Sequence, residues 1–288
     1  EMWIDPFDGN RMAVAGDGGI SISQNRGKSW LKTFLPVAQL YHVTTDNSIP
    51  YNLLTNRQDG PSMKGPSRAN MGNWWYSGMI QSGLWREVGG GESGFATPDP
   101  TNPDIVWSSA SGSGSLGGIV TRYNEKTNQY RQLEVWPEYA SGSYASLLKY
   151  RFQWTFPLLI SPHDNKTIYV TSQHVHKTTN DGQSWEVISP DLTMNDKEMQ
   201  GFSGGLTGDN IAVEYANVIY AFEESPVQKG VLWAGTNDGL VHVSQDNGKT
   251  WKNVTKNIPK LPKLGVVRNI DASKWNPAKA YLTIEFHQ

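Results

Sequence analysis

No cysteine occurs among the 288 residues, so neither a disulfide framework nor thiol chemistry supports this chain. Charge of one sign is equally scarce: 25 Lys and Arg stand against 27 Asp and Glu, for a formal net charge of −2. Without a basic cluster there is no footprint for nucleic acid or for an anionic membrane surface. No apolar run is long enough to span a bilayer, and no secretory leader opens the sequence. A phosphate-binding glycine loop, a Ser-His-Asp signature and a dinucleotide fingerprint are also missing, and Gly16–Gly19 and Gly89–Glu92 read as tight turns. No cofactor is expected. The six histidines give one close pair, His174-x-His176, which shares one side of a strand but has no acidic neighbour in sequence. A surface or packing role, rather than a metal site, is expected.

Glycine and tryptophan are plentiful, at 29 and 12 residues, which suits a turn-rich β protein. They are also ordered. Residues 13–30, AVAGDGGISISQNRGKSW, recur near the other end as residues 234–251, AGTNDGLVHVSQDNGKTW, and a partial copy, TTNDGQSW, occupies 178–185. In each copy an apolar strand leads into a turn of pattern Ser/Thr-x-Asn/Asp-x-Gly-x-Ser/Thr and then a tryptophan. The turn carries Ser23, Asn25 and Gly27 in the first copy, Asn180 and Gly182 in the second, and Asp246 and Gly248 in the third. The Asn or Asp side chain can accept the turn's own N–H groups, while glycine supplies a positive φ at little cost. Trp30, Trp185 and Trp251 are then placed to pack between neighbouring sheets. The pattern resembles the Asp-box, or BNR, repeat, with Asn25 in place of the usual aspartate of the first copy.

Recurrence of strand, turn and tryptophan at blade-like intervals predicts an all-β chain, a β-propeller of four-stranded blades. Pro/Asp/Asn turns before apolar strands (IDPFDGNRMAVA, TPDPTNPDIVWSS, ISPHDNKTIYVTS, SKWNPAKAYLTIE) give the hairpins between first and second strands. The resulting blades are 1–35, 39–88, 93–133, 152–188, 211–254 and a partial one at 266–288, in a single propeller domain over 1–288. Blade two carries a long insertion at 60–84. The tally of about five and a half blades falls short of a closed ring, so both ends are expected to have been cut from something longer. The remaining strands are expected from the same protein or from another chain, because an open propeller exposes strand edges.

Longer stretches resemble a group of large exported bacterial proteins called glycosyl hydrolase, BNR-repeat or sortilin-like proteins. They include Gly18–Ser23, Gln39–Val43, Gln58-Asp59 with Gly65–Arg68, Val88–Phe95, Arg151-Phe-x-Trp154, Ser161–Asp164, Ile188–Thr193 and Val267–Ala272. The resemblance implies a seven-bladed ring, longer at both ends than this chain, and an exported location: periplasmic, cell-surface or secreted. The hydrolase label comes from box-containing relatives such as xyloglucanases, which use paired aspartates. Only Asp17 stands in a matching Asp-Gly-Gly context.

Meander order puts the boxes and the Pro/Asp turns on one face, and the long loops on the other with the tips at 16–19, 57–60, 173–174 and 237–239. Loop-rich faces on rigid scaffolds commonly carry function. Asp17, Asp59, Glu92, Asp209 and Asp238 gather on that face. A glycosidase needs one carboxyl as acid and another as base or nucleophile, roughly 5 to 10 Å apart. Asp17 and Asp238, in equivalent places, would suit such a pair, with Asp59 and Glu92 as further candidates, while Asp-Gly at a strand junction equally makes a plain turn. Trp74, Trp75, Tyr76 and Trp85 offer stacking platforms for sugars or anchors for a protein, or else a plug holding the insertion down. Arg57, Arg68, Arg151 and Arg268 could line the central mouth and grip carboxylates. Sialidases share the boxes, but their Arg-Ile-Pro signature is absent from these four. Two functions follow: glycan or cell-surface polysaccharide binding, with hydrolysis if two carboxylates pair, and sortilin-like binding of peptide or protein without catalysis.

Overall fold

Alternating apolar residues between closely spaced turns produce short strands, and within each sheet a strand pairs with the next one along the chain. The structure, a computed structural model, describes residues 2–16, 19–33, 38–69, 80–110, 118–206, 208, 210 and 214–286. Two compact units emerge, Glu1–Gln39 and Leu40–Gln288. The first is one antiparallel meander of β1 (Met2–Ile4), β2 (Met12–Gly16), β3 (Gly19–Ser23) and β4 (Leu31–Thr33), in that order.

The second unit holds four more such meanders and a hairpin. They are β5 (Leu40–Thr45), β6 (Asn52–Arg57), β7 (Met63–Pro66) and β8 (Arg86–Glu87); β9 (Ala96–Pro98), β10 (Ile105–Ala110), β11 (Ile119–Asn124) and β12 (Gln129–Gln132); β13 (Leu158–Ile160), β14 (Ile168–Thr171), β15 (Val175–Thr178) and β16 (Glu186–Val187); β17 (Ile219–Glu224), β18 (Leu232–Thr236), β19 (Val241–Ser244) and β20 (Lys252–Asn253); and β21 (Val266–Ala272) with β22 (Ala280–Glu285). Among the described residues there is no α-helix, only single 3₁₀ turns. The predicted Pro/Asp turns do lie between first and second strands. The third strand β7, by contrast, sits inside the stretch read as an insertion. Gly65 and Pro66 break its apolar alternation, and the glycine is there because the Trp85 ring lies over it, 2.5 Å from where a Cβ would stand.

First strands of successive sheets touch one another: β5 with β9, β9 with β13, β13 with β17, β17 with β21. Burial runs outward from them, since β10 and β14 are buried throughout and the last strands β12, β16 and β20 are exposed. Four core clusters lie between successive sheets. Ile105, Trp107 and Val120 pack on Phe156, Leu158 and Ile168, and Tyr169, Val175 and Leu192 pack on Ile219, Phe222 and Leu232. Sheets stacked face to face around a common set of inner strands are the blades of a β-propeller.

The repeated turns fold alike. Ser23, Thr178 and Ser244 each accept the N–H of the glycine four residues on, at 2.9, 3.1 and 2.8 Å. Asn25, Asn180 and Asp246 accept the N–H of Ser29, Ser184 and Thr250 at 2.8, 3.1 and 2.9 Å. Gly27, Gly182 and Gly248 have φ of 77, 74 and 86°. In the larger unit the following tryptophan reaches back one sheet. Trp185 Nε1 donates to the Leu133 carbonyl and Trp251 Nε1 to the Ile188 carbonyl, both at 2.9 Å. The acceptors are equivalent, each directly after its sheet's last strand with its N–H on a third-strand valine carbonyl, Leu133 on Val120 and Ile188 on Val175. The box glycine presses on the same residue. A Cβ on Gly182 would stand 2.8 Å from Leu133 Cδ1, and one on Gly248 2.7 Å from the Ile188 carbonyl oxygen.

Candidate functional site

Within the larger unit, the ends of inner strands β5, β17 and β21 and the 153–155 loop line an open cavity of about 500 Å³. Arg268, on β21, is the cation of this cavity. Its guanidinium lies over the Tyr220 ring, 4.9 Å from the centroid, while Nη1 donates to the Tyr220 hydroxyl at 2.6 Å and Nε pairs with Glu285 at 2.7 Å. Thr155 donates to the same tyrosine oxygen at 2.8 Å, and Trp154 Nε1 donates to Glu214 at 3.2 Å. These bonds hold aromatic faces and charged groups in fixed orientations before any ligand arrives.

Tyr41 of β5 joins the cavity to a carboxylate pair. Its hydroxyl donates to Gln58 Oε1, and Gln58 Nε2 donates to Glu92 at 2.8 Å and to Asp59 at 3.2 Å. One amide nitrogen thus brings together two of the four carboxylates expected as acid or base, Asp59 and Glu92. Burial pushes the Tyr41 phenol up from its ordinary value, and the charges of Glu92 and Asp59 and the nearby Tyr220 add to this. Its neighbour His42 stacks on Phe95 with centroids 3.9 Å apart, and Nδ1 meets the Gly94 carbonyl at 2.7 Å. Burial pulls this imidazole down, against the Gly94 bond and with the help of Arg268, which keeps the ring neutral at pH 7.

Other expected residues are placed elsewhere. Asp238 is buried, 1 % exposed, at the β18–β19 tip, where it accepts from Thr236 Oγ1, from Asn217 Nδ2 at 2.7 Å and from the Met194 N–H at 2.9 Å. Both oxygens bind the fold together. Arg151 is likewise interior, 4 % exposed, with its guanidinium on the Asn217 carbonyl at 3.0 Å, Asp191 at 2.9 Å and Thr193 at 3.4 Å. Arg57 folds against Gly60 at the end of β6, and its buried Nε has no hydrogen-bond partner among the described residues. Arg68 is exposed, and half-buried Trp85 covers Gly65. Asp17, Trp74, Trp75, Tyr76 and Asp209 lie outside the described residues. His176 is fully buried, bonded to Ser172 at 2.7 Å beside Tyr150 and Phe152, and burial drives its pKa down to about 3, with His174 adding to the effect.

Sequence reasoning does not mark Trp154, Tyr220 or Tyr41 as site residues, although each is an aromatic on or shortly before the first strand of its sheet, where a signal could be found.

No family model matches the chain, and no curated protein does. Among solved structures it is similar to an ancestral GH74 enzyme, at 15 % identity and a TM-score of 0.49 over 94 % of this chain and 32 % of that one. It is also similar to YCF48 bound to D1 peptide, at 12 % identity and a TM-score of 0.47 over 96 % of this chain and 73 % of that one. A third is an auxiliary nutrient binding protein from Bacteroides thetaiotaomicron, at 13 % identity and a TM-score of 0.42 over 88 % of this chain and 56 % of that one. The chain spans about a third of the GH74 enzyme's length. None of these likenesses transfers an activity at such identities, and the fold assignment rests on the sheets themselves.

Proposed function

We propose that this chain is part of an exported, Asp-box (BNR) β-propeller, a seven-bladed ring in the complete assembly, that binds glycan at the cavity of Tyr41, Trp154, Tyr220 and Arg268. The observation that carries the reading is the cavity's composition. Aromatic faces suit the apolar faces of a sugar ring, and a fixed guanidinium, carboxylates and hydroxyls suit its hydroxyl groups. Titration calorimetry of the intact protein against a panel of plant and bacterial polysaccharides tests it. Trp154→Ala and Arg268→Gln are expected to weaken binding about tenfold or more, with thermal stability held within about 0.5 kcal/mol for the exposed arginine. Saturable binding of extended peptides and of no polysaccharide would instead select the sortilin-like, non-catalytic scaffold.

One observation favours hydrolysis as a second activity of the same face, the meeting of Asp59 and Glu92 on the Gln58 amide. Release of reducing ends from a bound polysaccharide, abolished by Asp59→Asn or Glu92→Gln, is the expected result. Equal release by both variants, with loss only in Asp17→Asn, would move the chemistry to the first blade's tip.

A further inference from the structure

The cavity of Tyr41, Trp154, Tyr220 and Arg268 has a sign as well as a shape. Glu214 and Glu285 line it, and Asp59 and Glu92 stand behind Tyr41 on the Gln58 amide, so four carboxylates are set against the one guanidinium of the lining. All 25 Lys and Arg of the chain lie among the described residues, and Arg268 alone of them reaches that lining. Arg57, next to Gln58 in the chain, lies instead against Gly60. The excess is felt inside the site: burial raises the Tyr41 phenol, and the charges of Glu92 and Asp59 push it the same way.

Arg268 already has its counter-ion. Nε pairs with Glu285 at 2.7 Å, Nη1 donates to the Tyr220 hydroxyl at 2.6 Å and the Tyr220 ring covers the guanidinium, so an acidic ligand would compete with Glu285 for it. The Asn237 side chain, also in the lining, is spent on backbone, donating to the Tyr215 carbonyl at 2.9 Å and accepting the Val218 N–H at 3.0 Å. Glu214 differs from both. It is exposed, one of its oxygens accepts from the Trp154 indole at 3.2 Å, and no Lys or Arg pairs with it among the described residues. The half-buried Trp154 is itself held in place, because its carbonyl accepts from Ser93 Oγ at 2.6 Å. A carboxylate without a counter-ion beside an anchored aromatic ring is suited to an ammonium group, which pairs with the first and is attracted to the face of the second.

We propose that the glycan taken by this cavity is an amino-sugar chain of the glucosamine type, with an unacetylated, protonated amine on Glu214 and its sugar ring against Trp154. The inference rests on the reading of the cavity as a glycan site and adds the charge of the ligand to it. Neutral and N-acetylated chains lack the charge that Glu214 calls for, and uronate chains carry the opposite one.

Hexamers of glucose, glucosamine and N-acetylglucosamine, all β-1,4-linked, differ only at the second carbon of each ring and form the test. They are titrated calorimetrically into the intact protein at a pH where the sugar amine is protonated, with a lysine-rich peptide as a further arm. The glucosamine hexamer is expected to bind about tenfold tighter than the glucose hexamer, and the N-acetyl hexamer no tighter than glucose. The preference should shrink as salt is raised and vanish in Glu214→Gln, an exposed change expected to leave the melting temperature where it was. Equal affinity for the glucose and glucosamine hexamers, an N-acetyl hexamer that binds as tightly as the amine, or a preference that survives Glu214→Gln overturns the proposal while leaving the glycan site standing. Binding of none of the three hexamers overturns the glycan site and this inference together, and saturable capture of the peptide in that case gives the acidic cavity to a protein partner.

Discussion

The turns of the repeats at 13–30 and 234–251 agree at five of eight positions, Ser, Gln, Gly, Lys and Trp, and they close with the same hydrogen bonds to within about 0.1 Å. Their tryptophans nevertheless differ. Trp251 is half-buried and bonded to Ile188 of the preceding sheet, whereas Trp30 is 42 % exposed. Gly248 is wedged against Ile188, while a Cβ on Gly27 would meet nothing nearer than its own Trp30 ring at 3.4 Å. The turn is therefore local chemistry that the heptapeptide completes by itself. Burial of the tryptophan is non-local and exists only where a sheet stands ready to receive it.

The sharpest way to break this comparison is to remove each tryptophan. Trp251→Ala takes away a packed indole and a 2.9 Å hydrogen bond, and is expected to cost about 3 kcal/mol. Trp30→Ala is expected to cost under about 1 kcal/mol, as for an exposed aromatic. Paired chemical denaturation curves check both, and equal losses would mean that Trp30 has an unseen seat of its own. The glycines form the next test. Gly27→Ala meets only the left-handed backbone penalty of about 1 kcal/mol. Gly248→Ala adds a collision with the Ile188 carbonyl oxygen, for a total of about 2 to 3 kcal/mol. A Gly248→Ala loss no greater than that of Gly27→Ala would show that the inter-sheet contact yields freely.

This division between local and non-local also explains what could be read in advance. Turn residues and alternating strands are written in contiguous stretches, so the boxes, the Pro/Asp hairpins and most strands were legible; β7 was not, because Gly65 answers to Trp85 across the sheet rather than to its own strand pattern. The site was legible only in part. Arg268, Asp59 and Glu92 carry charges that draw attention in any sequence, and the fold brings them to one region through Tyr41, Gln58 and Tyr220. Nothing in the charges of Arg151 or Asp238 announced that each would be enclosed. Arg151 is claimed by Asp191, forty residues away, and Asp238 by Asn217. For both, the deciding contacts come from residues outside the motif that made them conspicuous.

The mildest difference between the repeats is a single atom. The 23–30 and 178–185 turns place Asn25 and Asn180 where the 244–251 turn has Asp246, and the side-chain bond reverses to match: Asn25 Nδ2 donates to Ser29 at 2.7 Å, while Thr250 Oγ1 donates to Asp246 at 2.7 Å. The Thr250 hydroxyl and amide hold the Asp246 carboxyl below the ordinary aspartate value of 3.8. A carboxyl with a lowered folded-state pKa stabilises fully above the unfolded value and loses that contribution as pH falls through the folded one. Acid should thus loosen the 244–251 turn alone, and only slightly, because Asp246 is open to solvent and screened. Amide chemical shifts of Gly248 and Thr250 are expected to titrate below pH 4 while those of Gly27 and Ser29 stay flat, and Asp246→Asn should abolish the titration. If the asparagine turn of the first repeat moved with acid too, the cause would lie in the sheet that flanks it, and the turns could no longer be treated as closing on their own.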